Sequence, residues 1–470
     1  MTRKAFLLFF LVASHQLVAQ SQPAPDDWLR VNRILIVGNN VTRDRIIQRE
    51  LSLHEGDSIR RDKLDTVLLL DRNKIYNLRL FNTASVRALE LSSRSIDLLV
   101  DVSERWYIFP IPIFELSDRN LNEWYQNYNH DFTRVNYGMR LYHNNFRGRN
   151  EKVILSAQFG FSRRFELSYR IPNLDARQKR GLQVDFEFAE PKNAVYATKD
   201  HILQYLRLNT TVRRSVLAGI SMTFRKNFYQ THGVRAEFRS TRIADTIAYH
   251  LNPNYFGNDH TTQWYTGLSY SFVSEHRDVI AYPLHGYQFT GLLYKMGLDL
   301  GDQANQSIAM ATYAHHLEIG PRWYLSNFSV GYLSRPDNPT YAQFGGIGYR
   351  RQIIRGYEVY VVEGPQYFLN KTTLKKRIFN RTYTLEDMPW EQFRHLPLAI
   401  YLKTFVDFGY VQNYPYYQGL DLNTRLSNYL LGGFGVGLDM VTAYDGVFRF
   451  EYTMTREGRH GFFFNLKKEF

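Results

Sequence analysis

Not one cysteine occurs in the 470 residues, which excludes disulfides, thiolate metal sites, cysteine nucleophiles and a lipid anchor on a mature N-terminal cysteine. Beyond the first twenty residues there is no run of about 18 uninterrupted apolar residues, so no transmembrane helix is available. H-E-x-x-H, G-x-S-x-G and P-loop patterns are missing, and the 14 histidines fall at no metal-ligand spacing. No catalytic residue, metal or cofactor is therefore expected, although a triad assembled from distant strands is not forbidden by sequence. A compact basic run that would read nucleic acid is also absent.

What is present is aromatic: 34 Tyr, 33 Phe and 6 Trp make up 16% of the chain. Tyrosine is as frequent as phenylalanine, and a ring with a polar tip suits a boundary between water and hydrocarbon. The chain opens with Arg3 and Lys4, an apolar stretch at 5–13 and Leu17-Val18-Ala19, the layout of a secretory leader over residues 1–19 followed by a linker at 20–28. In lipid the only spanning structure besides a helix is a closed β-barrel, because every backbone polar group must find a partner. Barrel strands alternate lipid-facing apolar with lumen-facing polar residues, so a mean hydropathy of −0.39 is compatible with spanning. The formal charge of +13 has candidate counter-ions in lipid phosphates or acidic clients, and an undirected spread of loop charge accounts for it equally well.

Residues 29–105 read as a small α+β unit in the order strand, helix, helix, strand, strand. The first strand, 31–37, ends at Gly38-Asn39, where a positive φ costs little. Ile47 and Leu51, then Leu64, Leu68, Ile75 and Leu78, stand at helical spacing, and strands at 84–91 and 96–102 flank a polar turn. From Trp106 onward the period is two. Phe165, Leu167, Tyr169 and Ile171 alternate with Glu166, Ser168 and Arg170, and Phe448, Phe450, Tyr452 and Met454 with Arg449, Glu451 and Thr453. At roughly 20–25 residues per strand and its connection, 106–470 holds about 16 antiparallel strands. Alternation places their starts near 106, 134, 151, 163, 181, 203, 217, 263, 286, 307, 322, 366, 398, 430, 446 and 461. Long loops are expected at 230–262, 334–365 and 409–429, all on the side opposite the small unit, and 372–397 is expected as an unusually long connection on the near side.

In the strand beginning at Leu398, the apolar set Leu398, Ile400, Leu402, Val406 and Phe408 turns Phe405 and Asp407 toward the lumen. A lumenal carboxylate needs a cation or water, and a guanidinium matches it with two parallel hydrogen bonds. Arg355 is the expected partner, with Gly356 permitting a tight loop tip and Phe405 or Tyr357 stacking on the guanidinium. In the last strand Phe462, Phe464, Leu466 and Phe470 share one face, and closure requires that strand to pair with the first, where Pro110 and Pro112 each remove a donor.

Gly38-Asn39, Gly56-Asp57, Phe146-Arg147-Gly148-Arg149, Tyr169-Arg170-Ile171-Pro172, Tyr282-Pro283 and Phe344-Gly345-Gly346 accompany Ile354-Arg355-Gly356-Tyr357, Phe405-Val406-Asp407-Phe408-Gly409 and the terminal Phe470. In this order they resemble the BamA/TamA family of outer-membrane assembly proteins, the bacterial surface antigen family, with a single POTRA repeat. The resemblance implies a transmembrane β-barrel of about 16 antiparallel strands at 106–470, preceded by one small α+β POTRA domain at 29–105 in the periplasm. It also implies a lumenal sixth loop, a lateral seam between the first and last strands, unfolded outer-membrane or secreted polypeptides as clients, contact with outer-membrane lipid, and periplasmic or lipoprotein partners through the POTRA domain. The single repeat and the lack of the family's usual glutamate after the sixth loop depart from the pattern and point to an accessory or client-specific role. Insertion through the seam is the first expectation; a two-partner-secretion type of translocation pore and a passive channel stay open beside it.

Overall fold

A computed structural model describes residues 27–116, 135–175, 177–349 and 352–467; the leader, most of the linker and Phe470 lie outside them. The small unit is built on two amphipathic elements. Leu64, Leu68 and Ile75 put one face of the helix Arg61–Asn77 against a sheet, where Leu29, Val31, Ile96, Leu98 and Val100 are buried beneath it. Each fully buried aliphatic chain contributes about 1.5–3 kcal/mol. The sheet runs in the order Ser58–Arg60, Trp28–Val37, Ser95–Glu104, Phe81–Ser92, and its two central strands are parallel, Ile34 facing Leu98. The three-residue strand Ser58–Arg60 is too short to show a period in the sequence. The first helix, Asp44–Gln48, is shorter than the 47/51 spacing suggested.

Sixteen antiparallel strands follow in one sheet, from Ile108–Leu116 to His460–Lys467, each bonded to its sequence neighbours in the wall. The alternation sorts as expected: Val406 is 56% and Phe408 40% exposed on the outer face, while Phe405 and Asp407 are buried inside. Three expectations fail. Ile202–Arg207 is not a wall strand but pairs with Asn193–Lys199 in a separate hairpin, and the sixth and seventh wall strands are Arg213–Arg225 and Gln230–Ile243. Alternation alone does not distinguish a hairpin beyond the wall from a spanning strand. The expected loop at 230–262 is half strand because its lumenal charges are paired: Arg235 donates to Asp185 at 2.7 and 2.6 Å and to Glu237 at 2.8 Å. The long connection expected at 372–397 is also corrected. Gln366–Thr384 and His395–Gln412 pair along their whole length, past the rim, leaving a turn of residues 385–394.

The small unit sits across the near rim of the barrel and touches six of its turns. Arg43 N donates to Gly148 O at 3.0 Å, and Gln178 Nε2 to Arg45 O at 3.2 Å. Arg225 grips Glu50 with two bonds of 2.7 Å. Asn77 binds Asp278 O and Ile280 N, Asn82 Nδ2 donates to Gln392 O at 2.6 Å, and Arg105 is bidentate on Asp445 at 2.9 and 3.3 Å. Asp445→Ala would leave the buried Arg105 without its main carboxylate, a change of about 3–5 kcal/mol when such a pair is broken from one side. With spin labels on cysteines at Arg87 and Tyr249, the expected result is a broadened interlabel distance distribution in that variant and a narrow one in the parent.

Candidate functional site

The loop at 336–365 leaves the far rim after the strand Trp323–Arg335 and turns back into the barrel. Gly346–Ile347 pairs with Val362–Glu363 to form its neck, and Ile354-Arg355-Gly356-Tyr357 forms the tip. The tip descends onto the wall strand Leu430–Thr442, whose glycines make room for it. A Cβ on Gly433 would lie 1.9 Å from Arg355 O, so any side chain there collides with the loop backbone. Gly356 holds φ at +97°, a conformation glycine adopts without steric cost.

Arg355 and Asp407 meet at this point. Asp407 Oδ2 accepts from Arg355 Nε at 2.8 Å and from its backbone N at 3.1 Å, and Oδ1 accepts from Nη2. Asp407 is fully buried and the Arg355 side chain is 13% exposed, so the pair is screened little by water. The guanidinium carbon lies 3.8 Å from the centre of the Phe405 ring, and Nη2 also donates to Thr373 at 3.0 Å. Tyr357 does not stack on the guanidinium; its hydroxyl donates to Glu457 at 2.6 Å. Beside the pair, Lys403 Nζ bridges Asp439 and Glu451, and Glu451 lies 3.7 Å from Arg355. Thr373, Lys403, Glu451, Glu457 and Gly433 escaped the sequence reading. The glycines at 432, 433, 435 and 437, recurring within one strand, were the available signal for Gly433.

Beyond the far rim three loops lock together over the barrel. His201, at the tip of the hairpin Asn193–Arg207, accepts at Nε2 from Leu426 N and donates its own N–H to Asn423, both at 2.9 Å, while its carbonyl accepts from Val361 N at 2.8 Å. Glu363 is held between the hydroxyls of Tyr349 and Tyr417, and burial pushes its carboxyl up against those two donors. Burial also lowers the His201 imidazole from its ordinary value to about 4, with the Arg425 charge adding to the effect. The unfolded chain therefore takes up a proton at His201 between its ordinary value and about pH 4 while the folded chain does not. Stability from this contact is complete above pH 6.5 and falls as the pH drops through that window. Protection factors of the Leu426 and Val361 amides, which take out the intrinsic slowing of exchange in acid, are expected to fall at pH 4.5 relative to pH 7.5, and His201→Gln to remove most of that dependence.

The second feature is the wall itself. Among the described residues no ladder joins the first strand to the last, which form the two ends of the sixteen-stranded sheet. The first strand pairs with the second over all nine residues, Pro110 opposite Leu141 and Pro112 opposite Met139. Asn144 N donates to Tyr107 O at 2.9 Å, which puts the odd-numbered residues of this strand in bonding register with the second strand. The even-numbered residues face the free edge, so both prolines delete donors there and none from the ladder that is made. On the last strand Phe462 and Phe464 point outward, 67% and 53% exposed; Leu466 lies opposite Phe448 in the backbone register, and Phe470 is outside the described residues. At the foot of this gap Trp106, Phe393, Tyr444 and Phe109 form a chain of ring contacts with centroids 5.4–6.4 Å apart.

Gly38 and Asn39 lie apart from both features. They turn the chain between the first strand of the small unit and its first helix. Gly38 is at φ +86° with a Cβ position 1.8 Å from Val102 O, and Asn39 Nδ2 donates to Thr42 O at 2.8 Å.

Residues 145–470 match the model of the Omp85 superfamily domain, and residues 29–105 match that of POTRA, the surface antigen variable number repeat. Among solved structures, BamA from Haemophilus ducreyi lacking POTRA domains 1-3 is similar at 13% identity, covering 93% of this chain and 84% of that one with a TM-score of 0.52. CdiB from Escherichia coli is similar at 11% identity, covering 93% of this chain and 75% of that one, also with a TM-score of 0.52. At these identities the likeness is one of fold. No curated protein matches the chain.

Proposed function

The chain belongs to the Omp85 superfamily, and from that premise we propose that it assembles client polypeptides into the outer membrane through the gap between its first and last strands, without a chemical step. Proteins of this superfamily are non-enzymatic outer-membrane insertion or translocation factors with periplasmic POTRA domains, so the near rim is periplasmic and the far rim extracellular. One observation carries the choice of insertion: structure lies across the route along the barrel axis at three levels, whereas among the described residues the wall has one place without a ladder. The POTRA domain is bound across the periplasmic rim, the Arg355 loop enters the lumen and is anchored to its wall, and the His201 contacts tie loops across the extracellular rim. A free strand edge offers unpaired backbone groups to an incoming strand.

The loop brace is read here as Arg355, Gly356, Tyr357, Phe405 and Asp407, and the client-facing edge as Phe462, Phe464, Leu466 and Phe470. On the POTRA domain, the edge strand Phe81–Ser92 and the helix Arg61–Asn77 flank a groove of about 570 Å³ lined by Leu68, Arg72 and Val86, a place for a periplasmic polypeptide to add a strand. Depletion of the protein is expected to lower other outer-membrane barrels. A photo-crosslinking residue at Phe462 or Phe464 is expected to capture their unfolded forms. Loss of one exported protein with normal barrel levels would favour passage through the lumen instead, and steady ion conductance with a normal envelope would favour a plain channel.

A further inference from the structure

The outer face of the wall carries a basic fringe at its extracellular end. Arg242, Lys295 and Arg335, from the seventh, ninth and eleventh strands, all stand on the lipid-facing side of the register. Lys295, Ser307 and Arg335 face one another across three neighbouring strands, a cation, a hydroxyl and a cation in one row. Lys295 binds the neutral side chain of Asn305, and Arg335 meets Asp337 through Nη1 while remaining half exposed. The Asp337 contact offsets part of the charge of the row, and among the described residues no acid pairs with Lys295.

Directly below that row the wall is hollowed. The next two rows carry Leu293, Ala309 and Leu333, then Gly291, Ala311 and Gly331, and no atom lies within 4 Å of the position a Cβ on Gly331 would take. Tyr270 and Phe272 wall the depression on one side, Phe368 and Tyr410 on the other, around a volume of about 740 Å³. A second hollow of about 520 Å³ shares Tyr270, Leu293, Ala309 and Leu333 with it and reaches Lys295, Ser307 and Arg335. The lower end meets a set of hydrogen-bonded polar side chains on the same face, with Asn370 Nδ2 donating to Ser329 and Asn327 Nδ2 to Thr372, each at 2.8 Å.

We propose that this hollow is a binding site for one phosphate-bearing lipid of the outer leaflet, its phosphate held by Lys295, Ser307 and Arg335 and its hydrocarbon lying over Gly291, Ala311 and Gly331. The charge of the row selects an anion, and its height on the wall places that anion at the level of the outer headgroups. The apolar hollow selects an occupant with a chain attached. An aqueous anion would gain the row and leave the hollow unfilled.

The test uses the full chain in a mild detergent and native mass spectrometry. Phosphatidic acid is compared with diacylglycerol of the same chains and with inorganic phosphate. One phosphatidic acid is expected to stay bound per chain, about tenfold or more in preference to diacylglycerol, with Lys295→Ala plus Arg335→Ala removing most of that preference. Gly331→Leu, or Ala311→Leu if the first folds poorly, is expected to lower retention of phosphatidic acid with both cations in place. Equal retention by the parent, the charge variant and the filled variant would overturn the site, and so would competition by inorganic phosphate as effective as that of the lipid.

Discussion

Asp407→Ala is expected to release the lumenal loop while the barrel stays in the membrane. The substitution removes every acceptor of the Arg355 Nε, Nη2 and backbone N–H bonds to this carboxylate, and the guanidinium is left over the Phe405 ring with Thr373 and the more distant Glu451. Breaking a buried pair from one side costs about 3–5 kcal/mol, mostly because a charge remains without its partner. That is comparable with what the tip gains from packing Ile354 and Tyr357, at about 1.5–3 kcal/mol for each buried side chain, so the loop is expected to exchange between seated and free states. Protease added outside the cell should then cut within 336–365 in the variant and leave the parent intact, with client assembly falling in parallel. Arg355→Lys, which keeps the charge and loses the fork, should lie between the two. An uncut loop together with undiminished assembly in Asp407→Ala would remove the brace from the account.

The second large effect is expected at the gap. Replacing Pro110 and Pro112 together with valine restores two N–H donors on the edge that faces the last strand. Valine also enlarges the conformational freedom of the unfolded chain, which opposes the gain by about 0.4–1 kcal/mol at each site. In hydrocarbon, however, each unsatisfied backbone group costs several kcal/mol, and a new donor satisfies a carbonyl on the facing strand as well as itself. The net expectation is a wall zipped shut: a higher unfolding temperature in detergent, and poorer capture of clients by a crosslinker at Phe464. An unchanged melting temperature with normal capture would show that the prolines do not keep the gap open.

Much of this was legible in the chain because a barrel obeys a two-residue period. Asp407 could be turned inward from its neighbours alone, since Val406 and Phe408 had to face lipid. Its partner was harder, because Arg355 lies on a loop with no period, and the expected pairing rested on chemistry and on the resemblance of the Ile354-Arg355-Gly356-Tyr357 tip. His201 left no trace in the sequence, for a histidine at a hairpin tip looks the same whether it is solvated or buried against two other loops. The sixth and seventh strands were misplaced for a related reason. Ile202–Arg207 has the pattern of a wall strand but its partner is Asn193–Lys199, while Arg235 and Glu237 look like loop residues until Asp185 is brought beside them. Pairing across distance, which composition and period do not carry, decided each of these cases.

The hairpin of Gln366–Thr384 and His395–Gln412 has a mechanical consequence. Its ladder runs from the level of Thr373 and Phe405, where the loop tip is anchored, to the turn that brings Phe393 against Trp106, and is interrupted once, by a bulge at Ile378 between the Arg377 and Phe379 pairs. At about 3.4 Å per residue the two points are roughly 37 Å apart, and the bulge bends the ribbon between them. Movement of the lumenal loop would therefore flex the ribbon at Ile378 before it reached the foot of the first strand, so the anchor inside the barrel and the corner beside Trp106 are joined by a jointed arm.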